Sequence, residues 1–300
     1  MIFVNPECMK ITHFRHKEID FERWNNCIEQ SINQLTYAFA WYLDVVSPNW
    51  EALISEDYEY VMPLPVKSRY KIPYLVQPLL TQQLGLFSKN KISEEIIEEF
   101  IKEIPYFSYE LNLNEQNFYS KAEIFPNYIL NLNVKYANIS ACFSKNTVRN
   151  IDKASKLKLR IQQNVEMDEY LNFYFSVDKH YLSPQQPLLE KLIKKGISKK
   201  SLSIYGVYSA ENKLIASLCL LNSTQRLTYL LPISNDEGKE SFAMFKLINY
   251  IIQENAGTAK ILDFEGSQIE GVARVYRGFG AKYHPYYILK RFRPAFLIRK

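Results

Sequence analysis

Residues 262–283 read LDFEGSQIEGVARVYRGFGAKY, and this stretch decides how we interpret the fold. It predicts a strand that ends in two acids and Gly266-Ser267, then a short helix and a second strand from Lys282. Ligands in open α/β sheets bind at the carboxyl ends of strands. Arg277 lies between aromatic residues and glycines, where its guanidinium can meet a phosphate or carboxylate. The pattern therefore predicts a polar site at a strand end, or else an ordinary acid–base pair in a strand–loop–helix–strand unit.

A basic helix is predicted over residues 145–156. At 100° per residue its basic side chains fall within about a quarter of the helix surface and form a stripe about 16 Å long. These side chains are Lys145, Arg149, Lys153 and Lys156. Val148, Ile151 and Ala154 are expected on the opposite, buried face. The stripe is either an anion-binding surface or a solvated polar face.

The segment 232–241, PISNDEGKES, precedes a predicted helix at Lys239–Glu254. Free backbone N–H groups at a helix start can bind a phosphate. The residues suited to this are Gly238, Lys239 and Ser241. However, the segment has a single glycine, and Asp236 and Glu237 would repel an anion. A capped helix start is therefore favoured over a phosphate loop.

Length and composition indicate a globular protein with more than one domain. The chain has 300 residues, of which 47% are hydrophobic and 14% aromatic, and this length exceeds the usual size of a single domain. Its net charge of +5 permits an anionic ligand such as a nucleotide, CoA or tRNA without requiring one.

Several classes of site have no signature in the sequence. The four cysteines are widely scattered, as expected for reduced thiols in a cytoplasmic protein. The four histidines form no zinc pattern, so no metal site is expected. No secretory signal or apolar run of membrane-spanning length is visible. Nucleophilic catalysis has no signature either, because a GxSxG elbow and a P-loop are both missing.

Helix and strand patterns follow the same order in both halves. A helix at Ser93–Ile104 is signalled by apolar spacing, a Ser93 cap and the terminating Pro105. A hairpin turn is predicted at Ser209–Asn212. The sequence predicts a mixed α/β (α+β) protein with two lobes, residues 1–138 and 139–300. Each lobe is expected to be a mixed, mainly antiparallel sheet flanked by helices.

Together these residues resemble the Fem-type transferases, which make peptidoglycan bridges and belong to the wider tandem-GNAT acyltransferases. The basic helix at 146–156 matches the helix that opens that family's second lobe. Residues 263–267 and 276–280 match its D-F-x-G-S and F/Y-K-x-G-F-G patterns, with Arg277 in place of the usual Lys. The match covers mainly residues 140–290. It implies two tandem GNAT-like lobes, the first degenerate and the second carrying the chemistry.

The resemblance implies transfer of an acyl or aminoacyl group from a thioester or tRNA donor to an amine, by direct attack. Asp263 or Glu265 would accept the amine's proton, and Tyr229 would donate to the oxyanion or the leaving thiolate. The residues implied for the donor or another anion are Arg149, Asn150, Lys153, Gly238, Lys239, Ser241, Ser267, Arg277 and Gly280.

The resemblance also implies a bacterial protein with no tightly bound cofactor, for which acyl-CoA or aminoacyl-tRNA is a co-substrate. The acceptor would be a small or cell-envelope amine, and tRNA would be a partner. Its pyrophosphate loop is reduced to residues 234–241, a departure from the GNAT pattern. Two other functions stay open: a catalytically silent tandem-GNAT module that binds an anionic ligand or a protein, and a nucleic-acid accessory protein.

In the first half, four residues either line a cleft between the lobes or belong to a basic surface turn. They are Lys67, Arg69, Lys71 and Gln82.

Overall fold

The computed structural model describes residues 9–177, 185–266 and 268–291. Over these residues the chain forms two compact units. The first unit contains the chain up to Phe125 and the segment from Pro285 onward, and the second runs from Pro126 to His284. Within the described ranges, every helix is too short or too polar to cross a lipid bilayer.

The elements of the first unit up to Phe125 are β1 (Ile11–Phe14), α1 (Phe21–Gln30), α2 (Ala40–Val46), β2 (Glu51–Ser55), β3 (Tyr60–Leu64), β4 (Val66–Arg69), β5 (Ile72–Val76), β6 (Phe87–Ser88), α3 (Glu94–Lys102), β7 (Tyr109–Leu113) and β8 (Glu123–Phe125). The second unit contains β9 (Tyr128–Asn131), α4 (Tyr136–Ser140), α5 (Lys145–Ser155), β10 (Arg160–Gln163), α6 (Met167–Val177), α7 (Gln186–Ser198), β11 (Leu202–Tyr208), β12 (Leu214–Asn222), β13 (Arg226–Ser234), α8 (Asp236–Glu240), α9 (Ala243–Asn255), β14 (Ile261–Asp263), α10 (Glu270–Gly278) and β15 (Lys282–Tyr283). The chain then returns to the first unit as β16 (Tyr286–Arg291).

Two sheets build the first unit, as far as the described residues show. One is antiparallel with the order β1-β2-β3-β6, and the other is mixed with the order β4-β5-β7-β16-β8. Helix α3 packs on the hydrophobic core of the first unit through Ile96, Ile97 and Phe100, which are buried. The Ser93 hydroxyl caps α3 by accepting from the backbone of Ile96. The predicted helix at this position is confirmed.

The second unit is built on one sheet with the order β10-β11-β12-β13-β14-β9-β15, counted over the described residues. The strands pair antiparallel except β13 and β14, which run parallel. Helix α9 contributes four buried side chains to the hydrophobic core of the second unit: Leu247, Ile248, Ile251 and Ile252. The prediction of a mixed, mainly antiparallel sheet with flanking helices is confirmed.

The sequence pattern predicts one strand over Ile124–Leu132 and another over Lys282–Leu289, and both are broken at prolines. The predicted strand Ile124–Leu132 becomes β8 and β9 on either side of Pro126, and the strand predicted over 282–289 is divided at Pro285 into β15 and β16. Proline lacks the N–H that a sheet ladder needs. In both cases the two pieces belong to different units. The second unit therefore begins at Pro126, earlier than the expected boundary at 138/139, and the last strand lies outside it.

The predicted helix Lys239–Glu254 is also two elements. Helix α8 ends before Phe242, which has a φ of 54°, and α9 starts at Ala243. A left-handed residue interrupts the helical path. The start of the predicted helix is therefore separate from the long helix that packs on the sheet.

Candidate active site

The parallel pair β13–β14 positions the candidate site. Its register runs from Arg226 opposite Ile261 to Thr228 opposite Asp263. There β14 ends, while β13 continues to Ser234 along β12. The two strands thus part at their carboxyl ends, which is where ligands bind in sheets of this type.

A bulge reshapes β13 just beyond this point. Leu231 has a φ of 51°, and the register with β12 shifts so that Leu231 and Pro232 together oppose Leu218. The Tyr170 hydroxyl, itself buried, donates to the Leu231 carbonyl at 3.0 Å. Bulges are frequent next to active sites, where they redirect a strand. No local pattern in the sequence indicates this bulge.

Asp263, the last residue of β14, forms a buried ion pair with Arg226 of β13. Its second carboxylate oxygen accepts from the backbone N–H of Glu265 at 2.9 Å. Both carboxylate oxygens of Asp263 are therefore engaged in holding β13, β14 and the following turn together. The geometry gives Asp263 a structural role, and Glu265 is the other acid named from the sequence at this strand end.

Glu265 lies on a constrained turn after β14. Its φ is 49°, a conformation that side chains with a Cβ seldom adopt. Gly266 follows, and a Cβ at that position would lie 1.9 Å from the Pro126 carbonyl oxygen. Its N–H donates to the Asn127 side chain at 2.6 Å. Close packing against residues 126–127 therefore fixes the position of Glu265, which is partly exposed.

An aromatic cluster fills the space beside this turn. The Phe264 and Tyr276 rings stack with centroids 4.7 Å apart, and Tyr229 contacts both. Burial raises the pKa of Tyr229 well above its usual value, and the nearby Tyr276 raises it further. Burial, followed by the Glu265 and Asp263 carboxylates, also raises the pKa of Tyr276. Both phenols are therefore protonated at neutral pH, and neither hydroxyl has a hydrogen bond to another described residue.

Helix α5 presents the expected basic stripe to solvent. Its N-cap is Ser144, whose hydroxyl accepts from the Thr147 N–H at 3.1 Å. The exposed side chains include Lys145, Arg149, Lys153 and Lys156. The buried face differs from the expected one, because it consists of Thr147, Asn150 and Ala154, while Val148 is exposed. Asn150, with only 5% exposure, is therefore removed from any surface anion site.

A surface pocket of about 540 Å³ lies among α5, α9 and α10. Its lining residues are Ser144, Asn146, Thr147, Phe245, Arg274, Val275, Arg277 and Gly278. None of these is acidic, and two carry guanidinium groups. The helices approach closely because Gly278 has no side chain: a Cβ there would lie 2.5 Å from the Thr147 hydroxyl. The pocket is therefore suited to an anionic ligand.

Arg277 is oriented by two partners. It donates to the Tyr128 hydroxyl at 3.0 Å and forms an ion pair with Glu270, and its side chain stays 41% exposed. Hydrogen bonds to Glu270 and Tyr128 raise its pKa further. Arg149 does not line the pocket but donates to Asn146, which does, at 2.5 Å. The structure thus brings Arg277 and the start of α5 together, with Arg149 beside them.

The segment 234–241 is not a phosphate loop. The Asn235 side chain caps α8 by accepting from the Gly238 N–H at 2.8 Å, and Lys239 pairs with Asp236. Gly238 packs on β12, where a Cβ would lie 2.1 Å from the Ile215 carbonyl oxygen. The Ser241 hydroxyl points back to the Gly238 carbonyl at 3.4 Å. These residues are engaged within the capped helix start that the sequence favoured.

Lys153 lies at the following helix start. Its ammonium group is 5.2 Å from the centroid of the Phe242 ring, at the N-terminus of α9. No side chain caps α9 there. A cation beside uncapped N–H groups makes this a second electropositive position in the unit.

Gly280 ends α10 rather than binding an anion. Its φ is 81°, and its N–H bonds to the Arg277 carbonyl at 2.9 Å, a typical glycine position after a helix. Ser267 lies outside the described residues. The sequence gave no role to Arg226, Asn127 or Tyr128, which are far from the motif residues along the chain. It gave none to Arg274 or Tyr276 either, although both lie within residues 262–283.

No protein-family model matches the sequence, and comparison with curated proteins gave no significant match. Solved structures do match. The crystal structure of FemX superposes with a TM-score of 0.67 at 11% identity, covering 94% of this chain and 98% of FemX. The C-terminal domain of a putative lysylphosphatidylglycerol synthetase from Agrobacterium fabrum gives a TM-score of 0.55 at 10% identity over 91% of this chain and 92% of that domain. L-PGS from Bacillus licheniformis gives 0.53 at 11% identity over 85% and 89% of the two chains. The protein therefore has the fold of FemX, which confirms at the level of fold the Fem-type resemblance of its sequence.

Proposed function

We propose that this protein is an N-acyltransferase or aminoacyltransferase whose active site lies at the carboxyl ends of β13 and β14. The observation that carries the proposal is the position of Tyr276, whose ring lies 6.1 Å from that of Tyr229 and whose phenol is influenced by the nearby Glu265 carboxylate. Acyl transfer to an amine needs one group that accepts a proton and one that donates to developing negative charge. The site supplies both kinds of group.

The reaction proceeds by direct attack. The amine nitrogen forms a bond to the acyl carbonyl carbon and gives its proton to Glu265, directly or through water. The Tyr229 hydroxyl donates a hydrogen bond to the carbonyl oxygen as negative charge develops. The C–S bond of a thioester or the C–O bond of an aminoacyl-tRNA ester then breaks, and the leaving group takes up a proton. Positioning and charge stabilisation supply the rate enhancement, with no covalent enzyme intermediate.

Donor phosphates bind at the electropositive positions of the second unit. Arg277 and Arg274 offer guanidinium groups in the α5–α10 pocket, and Arg149 and Lys153 add charge on the exposed face of α5. Acyl-CoA, a carrier-protein thioester and aminoacyl-tRNA all carry phosphate that such groups bind. In this proposal the donor is a co-substrate.

The acceptor is a small or cell-envelope amine in a bacterial cytoplasm. The support for this is the fold shared with proteins whose names refer to FemX and to lysylphosphatidylglycerol synthesis.

Thermal-shift titration with acetyl-CoA, longer acyl-CoAs and aminoacyl-tRNA tests donor binding. We expect one donor to raise the melting temperature of wild type, and Arg277→Ala to abolish the shift. The matched control is Arg160→Gln, because Arg160 lies on β10 and bonds to Gln162 and Asn212 instead of lining the pocket. Indifference to every donor would favour a catalytically silent binding module.

A further inference from the structure

Strands β4 and β5 form a tight hairpin in the first unit, which we call the Tyr70 hairpin (residues 66–76). Its register runs from Val66 opposite Leu75 to Arg69 opposite Ile72, so Tyr70 and Lys71 form the two-residue turn. Both have positive φ, 51° and 63°. Asn and Gly adopt this turn most readily, whereas Tyr and Lys are strained in it. Folding alone would therefore not favour Tyr at position 70 or Lys at position 71.

The turn exposes bulky apolar groups. Tyr70 is 73% exposed and Ile72 is 47% exposed, and Pro73 beside them is also exposed. Tyr70 lies on the turn, and Ile72 and Pro73 are the first two residues of β5 directly after it. A single exposed apolar residue needs no explanation, but a cluster at a projecting turn indicates a contact surface.

All of the charged side chains in this hairpin are basic. Lys67 and Lys71 are exposed, and the Arg69 guanidinium lies 5.4 Å from the centroid of the Tyr70 ring. No acidic residue occurs in residues 66–76, so the formal charge of the segment is that of its three basic side chains. Basic residues also protect exposed sheet edges, and β4 is at the edge of its sheet. Edge protection explains the lysines, but it does not require an exposed Tyr and Ile beside them.

We propose that the Tyr70 hairpin docks on the surface of an anionic lipid bilayer. Aromatic and aliphatic side chains at the tip enter the headgroup boundary, while the three basic side chains meet lipid phosphates. The aliphatic surface of Ile72 and Pro73 favours a bilayer over RNA, since it gains from an apolar environment and has no partner on a phosphate backbone. This inference is independent of the acyltransferase proposal.

Vesicle co-sedimentation of the full chain tests the proposal. We expect binding to phosphatidylglycerol-containing vesicles and little binding to pure phosphatidylcholine vesicles. Lys67→Gln/Arg69→Gln/Lys71→Gln is expected to weaken binding on the order of 100-fold, at about fivefold per basic residue. The matched control, Lys17→Gln/Lys89→Gln/Lys91→Gln, removes the same charge from exposed positions of the same unit and should leave binding within about twofold of wild type.

Tyr70→Asn separates docking from folding. Asn tolerates the left-handed turn, so this variant should melt no lower than wild type yet bind anionic vesicles several-fold more weakly. Equal loss of binding in both triple variants, or binding that ignores lipid charge, overturns the proposal. Tighter binding to tRNA than to vesicles, lost in the hairpin triple variant, also overturns it and assigns the hairpin to nucleic acid.

Discussion

Arg226 and Asp263 form a buried ion pair that joins β13 to β14 at the point where these parallel strands separate. The pair fixes the last residue of β14, and through it the turn that carries Glu265. The candidate site therefore depends on a salt bridge that does not itself take part in the proposed chemistry.

Removing one partner of this pair should destabilise the second unit strongly. Asp263→Asn leaves the Arg226 charge buried and unpaired, and we expect a loss of about 3–5 kcal/mol in the free energy of unfolding. Urea denaturation of wild type and variant measures this difference in the free energy of unfolding. The double variant Arg226→Met/Asp263→Leu should recover most of that loss; if it is as unstable as the single variant, the cause lies elsewhere than in an unpaired charge.

The turn after β14 should tolerate no side chain at Gly266. A Cβ there meets the Pro126 carbonyl oxygen at 1.9 Å, so Gly266→Ala is expected to lower stability by about 3 kcal/mol or more. Gly271→Ala is the matched control, because nothing lies within 4 Å of a Cβ at that helical position. It should stabilise slightly, by up to about 1 kcal/mol. Similar stability of the two variants would show that the turn can rearrange.

Tyr229 should matter for catalysis far more than for folding. Tyr229→Phe removes a hydroxyl without a hydrogen bond to the described residues, and we expect kcat to fall about 10²- to 10³-fold, as for loss of an oxyanion donor. The melting temperature should stay near that of wild type. An unchanged kcat would remove Tyr229 from the mechanism and leave Tyr276 as the donor.

Alkaline pH should destabilise the fold because the buried phenol of Tyr229 resists ionisation. The pKa of Tyr229 is raised in the folded state, so folding favours the neutral phenol and its contribution is complete below the ordinary tyrosine pKa of about 10. Above that pH the unfolded chain releases the proton first, and stability falls by up to about 1.4 kcal/mol per pH unit for this group until the folded pKa is reached. Urea titrations above pH 10 should therefore show a shallower decline for Tyr229→Phe than for wild type; parallel declines would mean that Tyr229 ionises normally in the fold.

Local signals in the sequence were sufficient for much of the fold. Helix α3 combines apolar spacing with a Ser93 cap and a terminating Pro105, and all of these act within one segment. The exposed basic stripe of α5 was also visible, because helical periodicity alone places it. The buried face of α5 was not, since it includes the polar residues Thr147 and Asn150, and Thr147 packs against Gly278 of α10.

Pairings between residues far apart along the chain could not be predicted from the sequence. Arg226 and Asp263 are 37 positions apart, and nothing local to either residue indicates the other. The chain passes from one unit to the other at Pro126 and at Pro285, and in the sequence each proline could equally well be interpreted as a kink within one strand. The family pattern directed attention to residues 263–280, but it could not show that Asp263 is paired with Arg226 or that Gly266 and Gly278 are needed for packing.

The central claim is that the second unit transfers an acyl group directly to an amine. Single-turnover mass spectrometry with a donor that stabilises the protein, and with a panel of small and envelope-derived amines, measures both the amide product and any acyl-enzyme. We expect amide formation in wild type, loss of at least about 10²-fold in rate in Glu265→Gln, and no acylated protein at any time. Absence of amide with every donor and amine, or accumulation of an acyl-enzyme before product, would contradict the proposed mechanism.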